Sequence, residues 1–418
     1  MKNLFLPLSE QARQDLEQLL PLIDRLFPIP GRFRAQLPRD VAELSRQLTS
    51  ERPRRNAGYL GQKSLLSAYL RYFLPWNVFR LGRLLPSLEI QFEAGDAITD
   101  IGSGPLTLPI ALWVCRPDLR EVPLEFRCLD RTGAILDAGK RILEALPSRW
   151  KLRTIRGSLG ERIEGKPARL VTAINVFNEL FWDDHGGPRL VAERYGPLLS
   201  ALAAKQGSIL IVEPGIPRSG EFISLMRTQL LLSGRPPLAP CTHSAACPLP
   251  GGRRGAKWCH FAFETDEAPE ELHRLSRAAG LPKERATVSF LLAGPSDRTT
   301  ADATEGKPGE RPGFSAAGLT LRVISDPFPI GEEDVPAKSG DQRSGSPQEK
   351  TPREKSRQPA WKQSPRMGRY ACSERGLLLL RGQAAEVQGL LSGFGLELKA
   401  EAIQKEIDKK SGAPVINL

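Results

Sequence analysis

From about residue 96 to residue 214 the chain alternates between two patterns. "AITDIGSG", "LEFRCLDR", "LRTIRGS", "RLVTAINV" and "GSILIVEP" are short, mostly apolar runs of strand type. Between them, "GAILDAGKRILEAL" and "GGPRLVAERYGPLLSALAAK" carry apolar residues at the three- and four-residue spacing of helices. Strands alternating with helices need right-handed crossovers, which build a mainly parallel sheet. Near-continuous apolar strands suit a sheet buried on both faces. The expected fold class is α/β, with a Rossmann-like sheet over residues 96–232.

The flanks read differently. "QARQDLEQLLPLIDRLF" and "KSLLSAYLRYFLPWNVFRLGRLL" predict a helical region over 1–95, cut into short helices by Pro28, Pro30, Pro38, Pro53 and Pro75. Beyond residue 233 the alternation fails. A cysteine-rich segment (233–294) holds one further strand pattern, "ATVSFLLAG", and a polar insert (295–318) follows. "LTLRVISDPF" predicts a β segment over 319–331. The highly charged stretch 332–367 has almost no aliphatic residues, so disorder is expected there. Residues 368–418 return to strand character in "RYACSERGLLLLRG" and end in a basic tail.

A chain of 418 residues has room for two or three domains. Its net charge of +11 and isoelectric point near 9.5 point to a polyanionic partner, nucleic acid first, although a merely basic surface would give the same figures. No apolar run approaches a membrane span and the N-terminus lacks a signal-peptide pattern, so a cytoplasmic monomer without membrane partners is expected.

The first strand ends in "DIGSGPLTL". Asp100, Gly102, Ser103 and Gly104 make an acid–x–Gly–x–Gly turn, and Pro105 is suited to open the next helix. Thr107 stands where a dinucleotide fingerprint has its third glycine, so the loop suits S-adenosylmethionine better than a pyrophosphate. Asp130, ending the second strand, is placed to accept ribose hydroxyls. The third strand ends in "RGS", with no acid for an adenine amine. Asn178 and Glu179 follow the fourth strand and Glu213 ends the fifth, which makes them candidate catalytic residues. Asn178 would serve equally as a helix cap, and Glu213 as an arginine's partner.

Three of six cysteines crowd into "CTHSAACPLPGGRRGAKWCHF". In a reducing compartment such crowding points to metal or chemistry and not to disulfides. Cys241, Cys247 and Cys259 lack the tight C-x-x-C pairs usual for structural zinc, and their wide spacing favours an iron–sulfur cluster, with zinc as the alternative. Cys372 is the expected fourth ligand, with His243 and His260 as competitors. Cys115 and Cys128 sit in apolar contexts and read as core fillers. Arg253, Arg254 and Lys257 lie within the cysteine segment, where a stiffened loop would present them to phosphate.

"LTSERPRRNAGYL", "AYLRYFLPWNVFRLGRLL", "DIGSGPLTLPIAL", "NVFNELFW", "VEPGIPRSGEFI", the cysteine stretch, "RVISDPF" and "RYACSERG" together resemble the bacterial relatives of the mitochondrial small-ribosomal-subunit methyltransferase-like family. The resemblance spans roughly residues 37–382, apart from the two inserts. It implies a class I methyltransferase fold, a 4Fe-4S cluster held by Cys241, Cys247, Cys259 and Cys372, and association with small-subunit ribosomal RNA during ribosome assembly. It assigns Asp100, Gly102 and Gly104 to the cofactor loop. On that reading Arg52, Arg54, Arg55, Lys63, Arg71, Arg80 and Arg83 are candidate phosphate contacts, with Tyr59 or Trp76 stacking on bases. Methylation of a base nitrogen or oxygen is expected, with Glu179 or Glu213 as base; no cysteine is placed for carbon methylation. The alternative is a non-catalytic iron–sulfur assembly factor.

Overall fold

The computed structural model describes residues 3–49, 62–183, 187–252, 256–296, 319–324, 326–330, 366–398 and 406–418. The helical region opens with α1 (Glu10–Leu26), whose first turn is closed by the Ser9 hydroxyl accepting the Ala12 N–H. Two short helices follow, α2 (Gly31–Arg34) and α3 (Leu37–Leu48). Then α4 (Lys63–Ala68) runs through a π turn, Tyr69–Phe73, into α5 (Leu74–Leu84). Both α1 and α5 lie against the first helix of the α/β region.

That region strings together β1 (Ala97–Ile101), α6 (Thr107–Cys115), β2 (Glu125–Asp130), α7 (Gly133–Glu144), β3 (Lys151–Arg156) and β4 (Ala168–Ile174). It continues through α8 (Phe177–Asp183), α9 (Gly187–Leu202), β5 (Ala203–Pro214) and α10 (Pro217–Leu232). The five strands pair in parallel in the order β3-β2-β1-β4-β5. Further on come β6 (Pro237–Ala239), β7 (Phe261–Glu264), α11 (Glu270–Ala278) and β8 (Arg285–Ala293). β8 runs antiparallel beside β5 and carries β6 and β7 on its other edge. A parallel 3-2-1-4-5 core closed by an antiparallel strand is the Rossmann-like class I methyltransferase arrangement. The cysteine-rich segment is therefore not a separate unit, because its strands complete the main sheet. The nearly unbroken apolar run in β8 suits that buried place.

A second sheet is built from β9 (Leu319–Val323), β10 (Phe328–Pro329), β11 (Arg366–Ser373) and β12 (Gly376–Gln383), then α12 (Ala384–Gly389), β13 (Gly395–Leu398) and β14 (Val415–Asn417). Its order is β13-β9-β11-β12-β14, with β10 on β11. The basic tail ends as β14, paired in parallel with β12, so it is part of the fold. Side chains alternate along β11. Ala371 joins Leu321, Val323, Leu378 and Leu380 in the small sheet's own core, whereas Tyr370 and Cys372 face the main core. Most of the expected disordered stretch, 332–365, lies outside the described residues. Among those described, no helix is long and apolar enough to cross a membrane.

Candidate functional site

The parallel strands end along one edge of the sheet, and a cavity of about 220 Å³ opens there. Gly102 and Gly104 follow β1, Asp130 ends β2, Gly157 follows β3, and Asn175 and Glu179 follow β4; all line it. Gly102 has φ +64°, and a Cβ there would stand 2.5 Å from Val176 Cγ2, so only glycine fits. The helix after the loop starts at Thr107 and not at Pro105, because Leu106 also takes a left-handed conformation, φ +58°. Asp130 accepts the Gly104 N–H at 3.0 Å and the Thr132 N–H at 2.9 Å. Burial raises its pKa, and those two amides hold it down. A carboxylate accepts about four hydrogen bonds, so Asp130 keeps capacity for hydroxyls in the cavity.

Asp100 and Ser103 lie behind this wall and not in it. Asp100 is buried, and its Oδ1 accepts the Thr172 hydroxyl at 2.6 Å, tying β1 to β4. Burial lifts its carboxyl to about 7. The Ser103 hydroxyl donates to the Asp100 carbonyl at 2.8 Å and shapes the turn.

The three candidate catalytic residues divide in the same way. Glu213 is fully buried, and its two oxygens accept the Phe177 and Asn178 N–H groups at 2.8 and 3.0 Å. It caps α8 from the neighbouring strand, where sequence reasoning offered a pocket or an arginine. Burial lifts its pKa to about 8 against the pull of those amides. Asn178 is buried in the first turn of α8 and does not line the cavity. Glu179 does, with its Oε2 3.8 Å from an Arg131 guanidinium nitrogen.

Of the lining residues that escaped the sequence reading, Asn175 and Tyr69 show why. Asn175 has φ +56°, a conformation asparagine tolerates better than most residues, and an asparagine directly after a strand was the available signal. Tyr69 reaches in from the helical region on the π turn. Helical periodicity gives no warning of such a turn, although π turns concentrate at functional sites.

The four thiols Cys241, Cys247, Cys259 and Cys372 lie close enough to act on one another electrostatically. All are free. Burial raises the Cys259 thiol well above its ordinary pKa, and the Cys241, Cys247 and Cys372 thiols raise it further. Cys372 is raised by burial and then by Cys241 and Cys247. His243 Nε2 lies 3.7 Å from Cys372 Sγ, as a neighbour of the quartet. Stacked on Trp258, the His260 ring has its Nδ1 3.1 Å from the Trp258 carbonyl.

Two cations flank the thiols. Arg227 donates to the His243 and Ala245 carbonyls at 2.9 and 2.7 Å, and Arg322 to the Pro240 carbonyl at 3.0 Å. Each favours the charged form of Cys241 and Cys372. Among the described residues no three His, Cys, Asp or Glu side chains close tightly enough to hold a single metal ion. Cys115 and Cys128 are buried in the core, as expected.

The candidate RNA contacts fare less evenly. Arg71 is buried: it donates to Asp24 Oδ1 at 2.7 Å, to the Ser67 hydroxyl at 2.9 Å and to the Phe27 carbonyl. It locks the helical region and is not a surface contact. Arg83 pairs with Glu267 at 2.8 Å, and Trp76 is buried with its indole N–H on the Ser276 hydroxyl. Lys63 is exposed at the start of α4. Arg52, Arg54, Arg55, Tyr59, Arg253 and Arg254 lie outside the described residues.

Solved structures similar to this chain include a putative methyltransferase from Thermoplasma acidophilum (12% identity, TM-score 0.32, 52% of this chain and 74% of that one). Another is a SAM-dependent methyltransferase from Geobacter sulfurreducens in complex with S-adenosyl-L-homocysteine (16%, 0.30, 53% and 91%). A third is the M1A22 tRNA methyltransferase TrmK of B. subtilis (15%, 0.29, 52% and 67%). No curated protein matches the chain. A family model described as mitochondrial small ribosomal subunit Rsm22 matches residues 81–328, more than half of the sequence and nearly all of the α/β region. The chain belongs to that family.

Proposed function

We propose that this protein is an S-adenosylmethionine-dependent methyltransferase that acts on small-subunit ribosomal RNA, or on the immature small subunit, and carries a 4Fe-4S cluster. The observation that carries the enzyme reading is the cavity at the strand ends, with the Gly102 backbone pressed to its wall and Asp130 at its floor. Bound there, S-adenosylmethionine supplies an electrophilic sulfonium methyl group. Gly102 and Gly104 would let the backbone approach it and Asp130 would accept hydrogen bonds from its ribose hydroxyls, with Asn175 lining the same cavity. Glu179 is the carboxylate that lines the cavity, 3.8 Å from Arg131, and it would take a proton from a base nitrogen or hydroxyl. Much of the rate then comes from holding acceptor and donor in line.

The thiol quartet fits a 4Fe-4S cluster in its donor set, four cysteines without a required imidazole. Arg227 and Arg322 offset the negative charge that four thiolates bring. A cubane also asks its ligands to close less than one zinc ion does. The cluster would tie the loop of Cys241 and Cys247 and the residues just before β7 to β11 of the second sheet.

The commitment of Glu213 to capping α8 favours the second reading, a non-catalytic iron–sulfur assembly factor. One experiment separates the two. Anaerobically purified protein is assayed for iron, sulfide and labelled methyl transfer to ribosomal RNA and to immature small subunits. Transfer supports the enzyme; its absence at every assembly stage, with cluster present, leaves the assembly factor.

A further inference from the structure

The helical region that sends Tyr69 into the cavity also carries Arg80, one of the phosphate contacts expected above, and Lys283, not among them, stands over the same helix. Arg80 lies on α5, and Lys283 on the loop between α11 and β8. Both are half-buried. The Lys283 ammonium stands 5.6 Å from the centre of the Tyr72 ring and 5.5 Å from that of Trp76. Arg80 donates to the Asn77 side-chain oxygen, and the Tyr69 and Tyr72 hydroxyls are the groups that favour its charge. Among the described residues no carboxylate bears on either cation; besides burial, what weighs on Lys283 is Arg80 itself.

Tyr72, Trp76 and Arg80 follow one another at four-residue spacing, and Lys283 stands over the two rings, so two like charges share one helix face, which is unfavourable without an anion. Burial and Arg80 pull the Lys283 ammonium down to about 8, as expected of a cation lacking its counter-charge. Tyr69 connects this pair to the cavity. It lines the cavity, feels Glu179 and Asp130 on that side, and feels Arg80 on the other. The π turn that aims Tyr69 at the cavity is thus shared by both places.

We propose that Arg80 and Lys283 form an anion subsite that holds a backbone phosphodiester of the RNA substrate, on the helical region that sends Tyr69 into the methyl-transfer cavity. The guanidinium offers a planar fork to two phosphate oxygens and the ammonium a point charge. The subsite rests on the RNA methyltransferase reading and adds to it where the strand is gripped.

The test uses the full-length protein. Affinity for a short single-stranded RNA is measured by fluorescence anisotropy across a range of salt, for the native protein and for Lys283→Met, Lys283→Arg and Arg80→Met. S-adenosylhomocysteine affinity is measured by calorimetry on each. Lys283→Met keeps an apolar stem on Tyr72 and Trp76 and loses only the charge. It should weaken RNA binding about five- to tenfold, and its log affinity should fall less steeply with log salt, by roughly 0.7. Lys283→Arg should restore both, and S-adenosylhomocysteine affinity should not move. Separately, inorganic phosphate is titrated into protein with isotope-labelled methylated lysines, and the Lys283 resonance should shift. RNA affinity and slope unchanged in Lys283→Met and Arg80→Met, or a Lys283 resonance silent to phosphate, overturns the subsite even if S-adenosylhomocysteine binds. A phosphate response without S-adenosylhomocysteine binding keeps the subsite and overturns the enzyme reading.

Discussion

Gly102 has no room for a methyl group: its Cβ would sit 2.5 Å from Val176 Cγ2, at a φ that other residues avoid. Gly102→Ala should therefore fold and yet lose S-adenosylhomocysteine affinity by about tenfold or more, since relieving such a clash costs about 1–3 kcal/mol and displaces the cavity wall; calorimetric titration checks this. Glu213 acts elsewhere, on stability. Glu213→Ala strands two buried N–H groups at the start of α8 and should destabilise the protein by about 2–4 kcal/mol in chemical denaturation. The native carboxyls of Glu213 and Asp100 are raised to about 8 and about 7. A group raised in the folded state stabilises most below its unfolded pKa, and that stability is lost as pH climbs through the folded value. The melting temperature should thus fall between pH 5 and pH 8.5, less steeply in Glu213→Gln. The glycines and Asp130 were legible in the sequence because backbone freedom and a strand-end acid follow from local order. Asp100, Asn178, Glu213 and Arg71 misled, because only packing decides whether a polar group faces a cavity or a neighbouring amide.

At the scale of elements, β11 matters most. Its two-residue alternation sends Ala371 into the small sheet's core and Cys372 toward the other three thiols. Cys372→Ser should leave that sheet's own core intact and yet lose most of the iron and acid-labile sulfide, measured after anaerobic purification. The strands of the parallel sheet could be read from their apolar runs. Assigning β8 to the same sheet could not, because an antiparallel partner after a long excursion leaves no local mark. The tail's pairing as β14 was hidden for a related reason: its buried apolar pair, Val415 and Ile416, is too short after a polar stretch to mark a strand.

For the whole molecule, the quartet joins the main sheet to the second sheet across a long stretch of sequence. Removing metal from loaded protein with a chelator should expose the second sheet to limited proteolysis and leave S-adenosylhomocysteine affinity within about twofold, because none of the four thiols lines the cavity. Unchanged proteolysis after chelation would show that apolar packing alone holds the two sheets together. The order of the four thiols along the chain has a consequence for synthesis. Three of them leave the ribosome early, and the fourth follows only after the insert and most of β11 have been made. A polypeptide stalled before β11 therefore cannot complete the quartet, and a closed set of four sulfurs certifies that translation has passed the insert and reached that strand.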